Sequence, residues 1–129
     1  MTDTIHLSVQ CVMPGEIATA HHHVPAAIRF VLKGSPKAFT VVDGERLFME
    51  EGDLILTPAM MWHDHSNETT GPVVWFDGLD VPFVESLNLS FFYPYPKGKQ
   101  PLTKPDAYTT RRLTMAGLRP AGTRPEANY

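Results

Sequence analysis

The sequence predicts a single all-β domain, a sandwich or barrel of short antiparallel strands. Three observations support this class: roughly seven or eight short strand-like runs, turn signals about every 8–12 residues, and no convincing helical period before residue 85. A chain of 129 residues is long enough to enclose one hydrophobic core. We therefore expect one domain with no helical layer.

The predicted strands follow one another through short turns. Asp43-Gly44 lies between two apolar runs and is a strong hairpin signal. In the first strand, alternation places Leu7, Val9 and Cys11 on one face, and Cys11 is predicted to be a small buried hydrophobe. A short helix over 86–92 stays open, and the chain from residue 94 is predicted to be extended. The predicted strands are 5–13, 26–33, 38–42, 46–49, 54–57, 61–66 and 73–76.

Composition and charge exclude several classes of partner. The net charge of −3 gives no reason to expect nucleic acid or a membrane surface as a partner. No apolar run approaches the roughly 20 residues that span a bilayer, and the N-terminus lacks the pattern of a secretory signal. The chain has a single cysteine, so no disulfide forms within it, and we expect a cytoplasmic protein.

The charge is unevenly distributed along the chain. Residues 1–93 carry 4 basic and 12 acidic side chains, whereas residues 94–129 carry 7 basic and 2 acidic ones and six of the 12 prolines. We therefore divide the chain into a domain at 1–93 and an extended basic tail at 94–129. Two interpretations of the tail stay open: a solvated appendage, or a segment that packs on its own body or on that of a neighbouring subunit.

Five of the six histidines lie in two short clusters, His21-His22-His23 and His63-Asp64-His65. Side chains alternate between the two faces of a strand, so His21 and His23 share one face, as do His63 and His65. Two imidazoles on one strand and a third from an adjacent strand can supply three facial ligands to a metal ion. A histidine-rich surface patch is the competing interpretation of this composition.

The spacing of these residues resembles the two motifs of the cupin superfamily. Gly15, His21 and His23 match the first motif, and Gly52, Pro58, His63 and Asn67 match the second, with Met60 in place of a glycine. Where many cupins place a glutamate ligand, this chain has Ala27. The resemblance therefore implies a cupin jelly-roll β-barrel with a three-histidine metal site made by His21, His23 and His63.

Within that superfamily, the chain looks like the first cupin domain of gentisate 1,2-dioxygenases and of the related salicylate and 1-hydroxy-2-naphthoate dioxygenases. The sequence segments that carry this resemblance are residues 25–30, 41–46, 52–58, 62–65 and 75–80, with further similarity at 100–102 and 116–120. The resemblance implies an iron(II)-dependent oxidoreductase that uses O2 to open the ring of a small aromatic acid. The cleaved bond joins a hydroxyl-bearing carbon to the adjacent carboxylate-bearing one. Family members are longer chains with a second cupin domain.

Four further residues match positions that line the substrate site of this family. Arg29 lies on the histidine face and could clamp a carboxylate or hydroxyl, although an outward position at the barrel rim is the alternative. His65 is a candidate acid/base, or a residue that merely orients a neighbour. Asp77 is a candidate partner for Arg29 or for a substrate hydroxyl. Gln10 is a candidate substrate contact, or an ordinary strand amide.

Two functions from different classes therefore remain open at this point. One is the ring-cleaving dioxygenase, and the other is a single-cupin module that binds a metal or a small carboxylate without turnover. Iron(II) is the expected metal, while zinc, nickel or manganese would also fit the donors. Because sheets present unpaired edges that often pair across a two-fold axis, we expect a homodimer or a higher homo-oligomer.

Overall fold

A computed structural model describes residues 2–106 and 108–115 of the chain. Strands dominate the described residues, which confirms the all-β prediction. None of the described helices is long and apolar enough to cross a membrane. The elements are β1 His6–Val12, β2 Ile17–His23, β3 Ala27–Lys33, β4 Ser35–Val42, β5 Glu45–Met49, β6 Leu54–Thr57, β7 His63–Asn67, β8 Val73–Leu79, α1 Val81–Ser86, β9 Phe92–Pro94 and α2 Tyr108–Met115.

The strands form two antiparallel sheets that pack face to face. The four-stranded sheet has the order β1-β8-β3-β6, and the five-stranded sheet has the order β5-β4-β7-β2-β9. Gly34 alone separates β3 from β4, so the chain changes sheets there in a single residue. This arrangement is the predicted jelly roll, and it places β2 beside β7 and β3 beside β8.

The Asp43-Gly44 hairpin forms as predicted. Val42 pairs with Glu45 across the turn, and the two central residues have φ angles of 48° and 76°. Both angles lie in the left-handed region that a two-residue turn of type I′ requires, which explains the Asp-Gly sequence.

The core lies between the sheets and is built from their inward-facing apolar side chains. Val31 and Trp75 from the four-stranded sheet pack with Ala38 and Met49 from the five-stranded sheet, and all four are almost fully buried. Burial of these side chains supplies the main favourable term in the folding free energy.

The predicted burial of Cys11 is wrong. Cys11 is exposed, and Leu7 and Val9, which share its face, are more than half exposed. The inward residue of β1 is Val12, and Gln10 pairs with the buried Trp75. The physical reason is that the inner face of the four-stranded sheet carries polar side chains. The more apolar face of β1 therefore turns outward.

The described part of the basic tail packs on its own chain. β9 pairs with β2, and the Tyr95 and Ala20 backbones continue this contact, the Tyr95 N–H donating to the Ala20 carbonyl at 2.7 Å. β9 runs across the predicted boundary between residues 93 and 94, so the division of the chain into a domain and a tail at that boundary stays a prediction. Helix α2 lies in the tail, where the sequence predicted an extended chain. Helix α1, at Val81–Ser86, begins before residues 86–92, the stretch in which the sequence allowed a short helix. The predictions for residues 107 and 116–129 lie outside the described residues.

Candidate metal centre

Two neighbouring strands of the five-stranded sheet carry the histidine clusters to one place. His21 is the pairing partner of His63, and a bulge between Ala18 and His21 shifts the register just before the cluster. The ring centroids of His21 and His63 are 4.3 Å apart, and those of His23 and His63 are 4.8 Å apart. The bulge and the alternation of side chains thus bring three imidazoles from distant parts of the sequence to one end of the barrel.

Each of these three imidazoles donates a hydrogen bond from Nδ1 to a backbone carbonyl. The acceptors are the carbonyl oxygens of Thr19 for His21 at 2.7 Å, Pro25 for His23 at 2.7 Å and Met61 for His63 at 3.0 Å. A carbonyl oxygen can only accept, so the proton of each neutral ring lies on Nδ1. This leaves the lone pair of each ring on Nε2, as in most histidines that bind metals.

The ligand atoms of His21, His23 and His63 all lie within 4.8 Å of one another. His63 Nε2 is buried and has no hydrogen-bond partner among the described residues. A buried nitrogen lone pair without a donor costs free energy unless something binds it. The donor set, three neutral imidazoles that converge on one point, fits a divalent transition-metal ion.

The electrostatics of the cluster keep these rings neutral. Burial lowers the pKa of His63 to about 3, and the charge of Arg29 acts in the same direction. Burial also lowers the pKa of His21 and of His23. A metal ion competes with protons for the same lone pairs, so low pKa values keep the site available at neutral pH.

The four-stranded sheet supplies a buried ion pair on its inner face. Arg29 on β3 pairs with Asp77 on β8, with 3.1 Å between Arg29 Nε and Asp77 Oδ1, and the two side chains are 3% and 1% exposed. An Arg29 Nη1 hydrogen bond to the Thr57 hydroxyl holds the guanidinium from the other neighbouring strand. Arg29 therefore faces inward and has the partner that the sequence suggested.

Neither carboxylate oxygen of Asp77 has a well-aligned hydrogen bond among the described residues. Burial raises the pKa of Asp77, and the nearby Arg29 charge opposes this shift. Thr57 was missed by the sequence reasoning, although its position two residues after the buried Ile55 places it on the same inner face.

His65 lies deeper in the barrel than the three-histidine group. Its ring centroid is 5.9 Å from that of His63 and 4.9 Å from that of Trp75. His65 Nδ1 is buried without a partner among the described residues, and burial lowers the pKa of this ring well below its usual value. Gln10 is not brought into this group: it is exposed on the edge strand β1, and no hydrogen bond links its side chain to the histidines in the described part of the chain.

His22 points away from the cluster and stacks on Trp62, with ring centroids 4.0 Å apart. Met60 joins the two histidine strands through its backbone, because its N–H donates to the His23 carbonyl at 2.9 Å. Met60 has a φ of 67°. This left-handed conformation explains why the motif places a glycine at this position.

The site is open on one side. His21 and His23 are only partly buried, whereas His63 and His65 are buried. Two surface cavities of about 290 and 570 Å³ lie elsewhere, and none of the predicted site residues lines either of them. The described residues thus bring the three imidazoles together without enclosing them.

Comparison with known proteins links this geometry to a group of enzymes. The family model of the Cupin domain matches residues 8–82. A 1-hydroxy-2-naphthoate 1,2-dioxygenase of Nocardioides sp. (strain KP7) is 52% identical over 94 residues, which cover 73% of this chain and 24% of that protein. A gentisate 1,2-dioxygenase of Aquipseudomonas alcaligenes is 40% identical over 112 residues, which cover 87% of this chain and 32% of that protein.

Among solved structures, a salicylate 1,2-dioxygenase from Pseudoaminobacter salicylatoxidans, studied as adducts with gentisate, superposes with a TM-score of 0.76 at 36% identity. The match covers 92% of this chain and 32% of that chain. The chain thus spans about a quarter to a third of the length of the relatives it matches.

Proposed function

This chain belongs to the cupin family, and from that premise we propose that it acts as an iron(II)-dependent dioxygenase that cleaves the ring of hydroxylated aromatic acids. Gentisate-like acids, which carry a hydroxyl beside the carboxylate, are the proposed substrates. The proposed reaction breaks the ring bond between the two carbons that bear these groups and incorporates both atoms of O2. Sequence similarity to gentisate, salicylate and 1-hydroxy-2-naphthoate dioxygenases supports this substrate class.

The observation that carries the proposal is the set of three Nε2 lone pairs of His21, His23 and His63. Their Nδ1 atoms are all bound to backbone carbonyls, and their ligand atoms lie within 4.8 Å of one another. We propose these three residues as the metal ligands. When bound, an iron(II) ion would supply a chelating centre for the carboxylate and phenolic oxygens and the redox chemistry with O2.

The ligands themselves favour an anionic substrate. Three neutral imidazoles add no negative charge, so the charge of a divalent ion stays uncompensated by the protein. The Arg29 guanidinium, whose charge Asp77 balances, lies near enough to help lower the pKa of His21, His23, His63 and His65. The uncompensated charge of a bound divalent ion would therefore attract a carboxylate.

The remaining polar residues have proposed roles in orienting the acid and moving a proton. Arg29 and Asp77 hold each other in place, and we assign them contacts with the substrate carboxylate and hydroxyl. His65 is neutral and has an unpartnered Nδ1, so it can accept or relay the hydroxyl proton. Gln10, exposed on the edge strand β1, is the fourth proposed substrate contact.

The test is a metal titration combined with oxygen consumption. Metal-free protein is titrated anaerobically with Co(II), whose visible spectrum reports tetrahedral or octahedral binding. The iron-loaded protein is then supplied with gentisate, salicylate and 1-hydroxy-2-naphthoate in an oxygen electrode. We expect His63→Ala to abolish both metal binding and oxygen uptake. His22→Phe, which keeps the ring stacked on Trp62, is the matched control and should bind metal like the wild type.

Metal binding by His63→Ala equal to that of the wild type would refute the assignment of the ligands. If zinc, nickel or manganese bound in place of iron, the three ligands would stand as proposed, but the proposed iron(II) chemistry would not.

A second function is a cupin module that binds a metal or a small carboxylate without turnover. The partly exposed His21 and His23 favour it, since ring cleavage needs a site from which water is excluded. Full iron loading without oxygen uptake for any of the three acids would select this alternative.

The proposal also includes a cytoplasmic location, on the ground of the single cysteine, and a homodimer.

A further inference from the structure

The bulge in β2 decides which way the histidines of this strand point. On either side of the bulge, Ala18 pairs with His65 and His21 pairs with His63, so β2 advances three residues while β7 advances two. Residues directly opposite each other in an antiparallel pair share a face, and side chains alternate along a regular strand. Without the extra residue, a strand that keeps Ala18 inward would turn His21 outward. The bulge reverses the alternation and puts His21 on the inner face with His63.

The same reversal applies to the rest of the cluster. His23 lies two residues after His21 and shares its face, whereas His22 points away and stacks on Trp62. If β2 slipped by one residue and lost its bulge, His21 and His23 would turn to the outer face and His22 would turn inward. The register of β2 therefore decides whether the three imidazoles of the candidate site converge.

The tail of the chain holds the bulge from the side of β2 that faces away from β7. Ala20, inside the bulge, is fully buried. Its N–H donates to the Gly98 carbonyl at 2.6 Å, and its carbonyl accepts the Tyr95 N–H at 2.7 Å. Tyr95 and Gly98 are the two ends of one tight turn, which the Gly98 N–H closes by donating to the Tyr95 carbonyl at 3.0 Å. Both backbone groups of Ala20 are thus bonded to a single turn of the tail.

This turn is itself anchored to other strands of the sheet. Gln100, two residues after the turn, bonds through its side chain to Gly44 and Val41, and its N–H approaches the Asp64 carboxylate of β7 at 3.3 Å. At the other end of the turn, the Tyr95 ring packs against Trp62 with centroids 4.9 Å apart. A slip of β2 along β7 would therefore break either the bonds of the turn to Ala20 or the bonds that anchor the tail.

We propose that the Tyr95–Gly98 turn is a positioning element of the metal centre, because it holds the bulge of β2 in the register that turns His21 and His23 inward. The inference rests on the proposed ligand set and adds the tail to the parts of the chain on which metal binding depends. Gly98 has a φ of 74°, in the left-handed region that favours glycine, and a Cβ added there would meet nothing within 4 Å. Replacing Gly98 therefore strains the turn without touching any imidazole.

A matched pair of glycine variants tests the proposal. Gly98→Ala and Gly52→Ala each place a Cβ in open space at a left-handed residue, with φ angles of 74° and 90°. Gly52 lies in the turn before β6 of the other sheet, so the two variants should lower the melting temperature by similar amounts but differ in metal binding.

The full metal-free chain is titrated with Co(II). Gly98→Ala should raise the dissociation constant about 10-fold, the order that the strain of one left-handed residue allows, and Gly52→Ala should leave it unchanged. Gly98→Asn should restore most of the affinity, since asparagine tolerates the left-handed conformation. If circular dichroism shows that Gly98→Ala does not fold, Tyr95→Ala takes its place, because it removes the ring contact with Trp62 and leaves the turn backbone unstrained.

The tautomer of the His21 ring in the metal-free protein is the second measurement. Long-range proton–nitrogen correlation spectra distinguish the two tautomers of each histidine. The wild-type His21 carries its proton on Nδ1, which donates to the Thr19 carbonyl. Gly98→Ala should move the His21 proton towards Nε2 and leave the tautomer of His63 unchanged.

The two measurements separate the role of the turn from the identity of the ligands. A wild type that binds no Co(II) would refute the proposed ligands, and the His21 tautomer would still test the role of the turn. A folded Gly98→Ala variant that matches Gly52→Ala in both Co(II) affinity and His21 tautomer would overturn the proposal.

Discussion

The outer faces of the two sheets differ in what covers them. The tail of the chain lies across the five-stranded sheet, where Gln100 bonds to Val41 and Gly44 and its N–H approaches the Asp64 carboxylate at 3.3 Å. The four-stranded sheet has no such cover among the described residues, and its outer face is apolar and exposed. The five-stranded sheet is thus covered by its own chain, whereas no described part of the chain covers the outer face of the other sheet.

The inner faces differ as well. The five-stranded sheet contributes neutral imidazoles, and the four-stranded sheet contributes the Arg29–Asp77 ion pair. The two sheets therefore divide the candidate site between them: one contributes the three imidazoles, and the other contributes the buried ion pair.

The largest expected effect follows from breaking the ion pair on the four-stranded sheet. Asp77→Asn leaves a buried guanidinium without its counter-charge and should destabilise the protein by about 3–5 kcal/mol. Urea denaturation of the metal-free protein measures this loss. Asp106→Asn breaks the exposed pair with Arg46 and serves as the control, with no measurable change expected.

The double variant Arg29→Met with Asp77→Leu should recover much of the lost stability, because no buried charge remains. If Asp77→Asn were as stable as the wild type, Arg29 would have to be compensated by another group, and the assigned partnership would be wrong.

The second effect is a pH dependence that arises on the five-stranded sheet. His63 has a pKa of about 3 when folded and 6.5 when unfolded, so the unfolded state binds more protons as the pH falls below 6.5. From pH 7 to pH 5 this single residue should reduce the stability of the metal-free protein by about 2 kcal/mol. The lowered pKa values of His21, His23 and His65 act in the same direction.

Denaturation of the wild type and of His63→Gln at a series of pH values measures the contribution of His63. The raised pKa values of Asp64 and Asp77 act in the opposite direction, and they are common to both proteins. Parallel pH profiles for the two proteins would show that His63 is not held neutral by the fold.

The third effect tests the cover of the five-stranded sheet. Gln100→Ala removes the side-chain hydrogen bonds to the Gly44 N–H and the Val41 carbonyl, at 2.9 and 3.0 Å, and should cost about 1–2 kcal/mol. Thermal denaturation reports the loss, and amide hydrogen exchange at Gly44 should accelerate. Gln10→Ala, on the exposed edge strand β1, is the matched control and should change neither quantity. Unchanged exchange at Gly44 would mean that the tail does not protect this hairpin.

The smallest effect is expected on the uncovered face. Leu56→Lys should change the stability by less than about 0.5 kcal/mol at the lowest measurable protein concentration, because the side chain is exposed in the single chain. A large loss at low concentration would show that Leu56 is already covered by its own chain.

Much of this architecture could be predicted from local sequence. The period-two pattern and the Asp43-Gly44 turn predicted the strands, and the spacing of His21, His23 and His63 predicted which imidazoles meet. These features depend on neighbours in the sequence or on a known motif, so they need no knowledge of how the sheets pack.

The tertiary structure alone decided which face of the four-stranded sheet is the inner one. Its strands are apolar on one side and carry Arg29, Thr57 and Asp77 on the other, so hydrophobic alternation predicted the burial of Cys11 incorrectly. Arg29 can be buried because β8 and β6 bring Asp77 and Thr57 to it from far along the sequence. A charge satisfied by distant residues costs less to bury than its local sequence suggests, and only the pairing of the strands reveals its partners.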